Sequence, residues 1–354
     1  MGAAMWPSGR SEADSPPVDE DGTVHLPAML LPESALLSEQ TRAELKRARA
    51  SRPGEAVPAK SCPSMNGADA AHAPAIRRCE AENFYRSASF RRLYELYRVA
   101  MTPQTIGGVY TEVFTPADGI APKNKNRILL NVHGGGFIDG ARIGSHMESV
   151  PIASLGQIKV ISIDYRQAPE FEFPAANEDV TAVYVELLKI YKAGNIGIYG
   201  CSAGGLLTAE TVAWLEMKKL PLPGAIGMLC EGAGYWTDGD AGHLGQVLWG
   251  GVVWGTSRDN PYFKNTDPGN ALAFPVRSAS IIAKFPPSLL IAATRDPALS
   301  SVVHTHSVLI NQGVDAELHV WEGLGHAFFM DPDLPQSREV HAVTVKFFDT
   351  RLGR

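Results

Sequence analysis

Residues 195–205 read Asn195-Ile196-Gly197-Ile198-Tyr199-Gly200-Cys201-Ser202-Ala203-Gly204-Gly205, and LLTAETVAWLEM follows at 206–217. The first five residues are a short apolar run of strand character. From Ala203 onward the residues are good helix formers with a helical apolar period. Only the pentapeptide G-C-S-A-G joins the two. A buried strand that turns directly into a helix is the repeating unit of a parallel sheet.

Outward from this unit the same alternation continues. Val109–Thr115 reads as an outer strand, and Arg127–His133 (RILLNVH) and Ile158–Asp164 (IKVISID) as buried ones. Ala175–Lys192 is helical in period. Downstream, strands are expected at Ala225–Cys230, Ser288–Thr294 and Ala316–Trp321, with helices around Ser301–Gln312 and from about Ser337. This pattern predicts an α/β fold with a mainly parallel, doubly wound sheet, whose ligand site lies at the carboxyl ends of the strands. Residues 232–284, rich in Gly and Trp, are too long for a crossover and read as an insertion. Before the sheet, residues 1–30 carry Pro, Gly, Ser and acids and read as a flexible N-terminus. Helices are expected from about Ser38 and over Ala75–Arg98, separated by a Pro- and Gly-containing linker. Phe84, Tyr85, Phe90, Leu93, Tyr94 and Tyr97 recur there at helical spacing, as packing residues do.

Composition narrows the function. The 354 residues carry a net charge of −6, which argues against a nucleic-acid partner that needs a basic surface. No apolar run reaches the ~20 residues of a membrane span; the nearest, Gly245–Gly255, is short and glycine-rich. The first 30 residues lack the basic start and apolar stretch of a secretion signal, so a cytoplasmic location is expected. Cys62, Cys79, Cys201 and Cys230 are too few for a disulfide framework at this length and are expected as free thiols. Neither Cys62, His72 and Cys79 nor the His304/His306 pair has a metal-ligand spacing. No metal and no organic cofactor is expected.

Three stretches carry chemistry. G-x-S-x-G between a strand and a helix is a nucleophile elbow, which holds Ser202 in a tight turn. His133-Gly134-Gly135-Gly136-Phe137 ends a strand with three bare backbone N–H groups, able to cradle an anion. No Lys-Ser/Thr follows, so this is not a phosphate loop. Opposite a nucleophilic serine it is an oxyanion hole. A serine needs a base, and the base an orienting acid. Asp296 follows the strand at 288–294, and His326 follows the last strand. His319 is the rival base, within a strand pattern. Asp315 and Glu322 are rival acids.

With these pieces in place, the chain resembles the hormone-sensitive-lipase-like esterases, the bacterial family IV carboxylesterases of the α/β-hydrolase superfamily. The resemblance rests on HGGGF (133–137), Tyr165-Arg166-Gln167-Ala168-Pro169-Glu170 with Phe173-Pro174-Ala175-Ala176, GCSAGG (200–205), RDPAL (295–299) and GHAF (325–328). It covers about residues 105–354. Three departures stand out: Cys201 replaces the usual aspartate of the elbow, Gln167 a leucine, and Ala327 the glycine after the histidine. The elbow variant resembles a branch that includes lactone hydrolases.

The resemblance implies an α/β-hydrolase fold, with an eight-stranded, mainly parallel sheet flanked by helices and a helical cap. The cap would take residues 31–104 and the catalytic core 105–231 and 285–354, with 232–284 adding to the cap. Ser202 would be the nucleophile, His326 the general base and Asp296 the orienting acid. Gly135, Gly136 and Ala203 would donate to the oxyanion. His133, Gly134, Glu170 and Arg166 would support the loops, and Cys201 would be structural. The implied activity is serine carboxylic-ester hydrolysis of a small-molecule ester. Lactone or amide hydrolysis by the same triad, and an inactive ligand-binding receptor, are the alternatives. Phe84, Phe90, Trp249 and Trp254 are candidates for restricting the pocket to short or compact acyl groups. A homodimer is expected through the edge strand Ala316–Trp321 and apolar residues of the last helix.

Overall fold

The structure is a computed structural model that describes residues 18–26, 30–50, 61–65, 67–248 and 255–353. The chain divides into a short unit, residues 1–35, and a main unit, 36–354. In the short unit Val18 and Val24 form an antiparallel bridge, and His25 Nε2 lies 2.8 Å from Asp19 Oδ2. Most of the segment read as a flexible N-terminus lies outside the described residues.

The main unit holds one eight-stranded sheet: β1 (Val99–Ile106), β2 (Val109–Pro116), β3 (Ile128–Val132), β4 (Val160–Ile163), β5 (Ile196–Cys201), β6 (Ala225–Leu229), β7 (Ser288–Ala293) and β8 (Ala316–Trp321). Their order is β1-β2-β4-β3-β5-β6-β7-β8. The pairs β1–β2 and β2–β4 are antiparallel, and all others parallel. The central strands β3 to β7 are buried at every position, which is why they read as unbroken apolar runs.

The helices are α1 (Glu39–Ala50), α2 (Ala73–Arg86), α3 (Ala88–Leu96), α4 (Gly144–Gly156), α5 (Ala175–Leu188), α6 (Ala203–Met217), α7 (Asp240–Leu248), α8 (Ala279–Ile282), α9 (Leu299–Asn311) and α10 (Pro335–Arg351). The stretch expected as one helix over 75–98 is broken at Ser87. Its side chain accepts from Phe90 N at 3.0 Å and so caps α3.

Two boundaries differ from the sequence reading. β1 lies partly inside the stretch read as cap, so the sheet begins at Val99. Pro103 sits in its middle, and the strand is largely exposed at the sheet edge, where a missing N–H is tolerated. α4 has no counterpart in the sequence reading. It is buried almost all round and contains Pro151, so it shows no amphipathic period.

A third difference concerns the cysteines. Cys62 and Cys79 are joined in a disulfide with their Cα atoms 5.8 Å apart. Cys201 and Cys230 are free and fully buried. Disulfides persist in oxidising compartments and are rare in the cytosol, which weighs against the cytoplasmic expectation. Among the described residues, no helix is long and apolar enough to cross a membrane.

The cysteine pairing makes a direct prediction. Denatured without reductant, the chain should take up two alkyl groups, at Cys201 and Cys230, and after reduction four. Intact-mass spectrometry counts them, and four adducts before reduction would contradict the pairing. Closing this loop should raise the unfolding free energy by about 2–4 kcal/mol, seen as a lower denaturation midpoint once reduced.

Candidate active site

The carboxyl ends of β3, β5, β6 and β8 converge on one cavity of about 380 Å³. Ser202 follows β5 with φ 57° and ψ −125°, a backbone state that costs a non-glycine residue ~1–3 kcal/mol. Neighbouring bonds hold it there. Ser202 N donates to Leu229 O at 2.7 Å, and Ser202 O accepts from Gly205 N at 2.8 Å and Leu206 N at 3.2 Å. A side chain at Gly200 or Gly204 would place its Cβ 2.0 or 1.8 Å from Val132 O. Only glycines let β3 approach the turn this closely.

The glycine loop after β3 lies against the turn. A Cβ on Gly134 would stand 3.4 Å from Ser202 Cβ and 2.7 Å from Cys201 O. Gly135 and Gly136 adopt φ 123° and 63°, and Gly135 O closes the loop by accepting from Ile138 N and Asp139 N. Among the described residues, no acceptor takes the N–H of Gly135, Gly136 or Ala203. His133 is buried and stacked on Tyr165, with centroids 4.5 Å apart. Its Nδ1 donates to Gly134 O at 2.7 Å, and Tyr165 Oη donates to His133 O at 2.7 Å. Burial pushes the imidazole toward its neutral form. His133 is therefore placed as a brace of the loop.

Glu148 of α4 carries a role that the sequence reading missed. Its Oε1 accepts from Gly134 N at 2.8 Å, and its Oε2 from Cys201 N at 3.1 Å and Asn131 Nδ2 at 2.8 Å. One carboxyl group thus ties the glycine loop to the elbow. Burial pushes its pKa up to about 8, against the opposing pull of the three donors. Asn131, the odd polar residue of β3, accepts in turn from Ser162 Oγ at 2.6 Å.

His326 follows β8 and lines the cavity with Ser202. Its Nδ1 lies 2.8 Å from Asp296 Oδ1, which also accepts from Ala298 N at 2.8 Å. Asp296 is buried at the end of β7. The rival residues are engaged elsewhere: Asp315 pairs with Arg351, and His319 lies beside Glu317 on the exposed face of β8. Ala327 has φ 52°, the left-handed region that suits the glycine usual at this place, and its N donates to Cys230 Sγ at 3.3 Å. Candidate metal-ligating atoms of Cys230, Asp296 and His326 lie within 4.8 Å of one another. Asp296 and His326 are spent on each other, and burial holds the Cys230 thiol protonated, so this set makes a poor cation cage. Burial pushes the Cys201 thiol up as well, in keeping with a structural role.

Arg166 and Glu170 both fix loops, each with a partner the sequence did not disclose. Arg166 grips Asp179 through its backbone N (2.8 Å) and Nε (2.9 Å). Glu170 forms a two-pronged pair with Arg77 of α2, at 2.7 and 2.8 Å. Arg77 Nε also donates to Ile138 O in the glycine loop at 2.8 Å. No described residue of 36–104 lines the cavity itself. Phe84 and Phe90 do not restrict it, contrary to the sequence reading. They pack around the buried His146, whose Nδ1 lies 2.7 Å from Tyr94 Oη. Trp249 and Trp254 lie outside the described residues. From the insertion, Tyr235, Trp236 and Asn260 line the cavity.

Comparison with known proteins identifies the fold family. Residues 129–330 match the family described as alpha/beta hydrolase fold, and the chain belongs to that family. The chain is similar to several esterases of known structure. The structure of esterase E25 superposes with a TM-score of 0.78 at 27% identity, over 93% of this chain and 99% of that one. An esterase from the bacterial hormone-sensitive lipase family superposes at 0.70 with 24% identity, over 90% and 99%. EstE5, in a crystal soaked with p-nitrophenyl butyrate, superposes at 0.72 with 21% identity, over 89% and 99%.

Glu148→Gln tests the tie between loop and elbow. The amide keeps the shape but turns an NH₂ toward one of three donors. A misplacement of the loop is expected to lower kcat by ~10²-fold on a nitrophenyl ester. Because the carboxyl's folded pKa is raised, its contribution to stability is full below the ordinary carboxylate pKa and is lost as pH rises toward 8. The variant should therefore show a flatter fall in melting temperature between pH 5 and 8. An unchanged kcat and an unchanged slope would remove Glu148 from this role.

Proposed function

We propose that the protein is a serine carboxylesterase acting through an acyl-enzyme on esters of short or compact acids. The carrying observation is the Asp296–His326 bond of 2.8 Å beside a cavity that also holds Ser202 in its forced turn. Ser202 Oγ attacks the ester carbonyl carbon as His326 Nε2 takes its proton. Asp296 fixes the tautomer and stabilises the imidazolium. The carbonyl oxygen becomes an oxyanion held by the N–H groups of Gly135, Gly136 and Ala203. The C–O bond breaks, and the alcohol leaves with the proton from His326. Water then repeats the cycle on the acyl-enzyme, releasing the acid and returning the proton to Ser202. The esterase neighbours support ester hydrolysis, and the butyrate ester used with EstE5 supports a short acyl group. An intact Asp–His pair disfavours the receptor reading.

We also infer a homodimer through the free edge of β8, which ends the sheet and leaves Val320 42% exposed. In the last helix Val340, Phe347 and Phe348 are buried in their own subunit, and Val343 and Val345 are half-buried against it.

Ser202→Ala should retain the circular dichroism of the parent and lose both fluorophosphonate labelling and ester hydrolysis, by several orders of magnitude. Near-parental hydrolysis would sink the assignment. Asp296→Asn should cost ~10⁴-fold through the wrong tautomer; a larger loss in Glu322→Gln would move the acid. Nitrophenyl esters of C4–C6 acids should be cleaved faster than those of C12–C16 acids. Light scattering over a dilution series should give twice the 38.1 kDa chain mass; a constant single-chain mass ends the dimer.

A further inference from the structure

The glycine loop is tied to a disulfide outside the cavity, and the tie runs through α2. Arg77 of this helix has a side chain only 13% exposed. It donates to both oxygens of Glu170, at 2.7 and 2.8 Å, to Ala168 O at 2.5 Å and to Ile138 O at 2.8 Å. Ile138 lines the cavity, and its N donates to Gly135 O at 3.0 Å, a bond that closes the glycine loop. One side chain of α2 thus holds both the glycine loop and the 168–170 segment. If α2 shifts, these bonds break together and the Glu170 carboxylate loses the charge it is paired with.

What fixes Arg77 is the start of the helix that carries it. Arg77 stands in the first half of α2, inside the stretch that the Cys62–Cys79 bond closes across a separation of 17 residues. The helix start is otherwise weakly secured. His72 at the cap makes no side-chain cap bond, and Asp69, which accepts from Ala71 N and His72 N at 3.0 Å, is exposed. A cavity of about 420 Å³, walled by Pro63, Ser64, Ala68, Ala75, Ile76 and Cys79, lies between the preceding segment and the helix. Close packing therefore does little to hold the two together there, and the covalent bond ties them directly. Opening it returns conformational freedom to every residue it closed. Ala73 and Ile76 are buried and keep α2 docked, so the result is a looser clamp rather than a lost fold. Cys201 and Cys230 are thiols already, so a reductant changes this bond alone.

We propose that Arg77 is a positioning residue of the glycine loop and that the Cys62–Cys79 disulfide sets its grip, so that ester turnover is full with the bond closed and falls when it opens. The proposal rests on the serine-esterase reading and adds regulation of that site. A dithiol supplies the chemistry. One of its thiolates attacks a sulfur of the pair, the S–S bond breaks to leave a mixed disulfide and one free cysteine, and the second thiolate displaces the other. Two electrons and two protons pass to Cys62 and Cys79, and the dithiol becomes a cyclic disulfide. Cys79 lines the outer cavity, which gives such a reagent its approach.

The test measures kcat and KM on methyl butanoate by pH-stat, for the oxidised enzyme and again after dithiothreitol treatment and gel filtration. Alkylation and intact mass confirm two thiols in the first and four in the second. Reduction should lower kcat by about tenfold and leave KM within about twofold, because a displaced oxyanion loop is felt in the transition state. Cys62→Ser with Cys79→Ser should match the reduced enzyme and ignore the dithiol. Arg77→Gln should show the lowered kcat with the disulfide closed and lose nothing more on reduction, whereas two independent structural effects would multiply. If Arg77→Gln does not fold, the reduced parent and the double serine variant carry the test. An unchanged kcat in folded, fully reduced enzyme overturns the proposal. So do losses that multiply, or a loss that merely tracks melting of the reduced enzyme. If the oxidised enzyme neither hydrolyses an ester nor takes a fluorophosphonate label, it is the esterase reading that fails.

Discussion

The closest constraint in the molecule is the contact between the end of β3 and the turn after β5. Val132 O lies where any side chain at Gly200 or Gly204 would have to go. That approach sets Gly134 against Ser202, and with it the position of the whole glycine loop. It also forces Ser202 into a backbone state that a relaxed chain would avoid, held by the carbonyl of Leu229 and the first turn of α6. The strain sits at the proposed nucleophile, and the central sheet on both sides supplies the rigidity to keep it there.

A buried polar chain supports this arrangement from below. Ser162 on β4 bonds Asn131 on β3, Asn131 bonds Glu148 on α4, and Glu148 takes the N–H groups of Gly134 and Cys201. Such chains are costly when partly satisfied and specifying when complete. This one spans two strands, a helix, a loop and the elbow, and fixes them in one register. A second clamp acts from the other side, where Arg77 of α2 joins Glu170 to the glycine loop. The cap helices therefore reach the site through its scaffold rather than through the cavity wall.

The strands β2 to β8, the elbow, the glycine loop and the Asp296–His326 pair were legible because each is a local pattern: an apolar run, a glycine spacing or a residue just past a strand. β1 was hidden by Pro103, which suits an edge strand and reads as a breaker. α4 was hidden by burial on all sides, which erases helical period. Glu148, Arg77 and the Cys62–Cys79 bond depend on which segments meet in space, and nothing in their neighbours announces it. Phe84 and Phe90 were visible as a helical stripe, yet only packing decides that the stripe encloses His146 rather than the pocket.

Ala327 illustrates a tension that evolution and engineering would feel differently. Its left-handed backbone costs an alanine ~1–2 kcal/mol relative to glycine. Glycine would give back about 0.5–1 kcal/mol of that through the greater freedom of its unfolded chain. The two terms partly offset each other, leaving glycine ahead by at most about 1.5 kcal/mol. Alanine does, however, narrow the range of backbone states open to the loop beside His326, whose N–H bond to Cys230 anchors it. Order in this loop thus comes at a modest thermodynamic cost, and the difference between the two residues lies in the entropy of the imidazole's surroundings as well as in the stability of the fold.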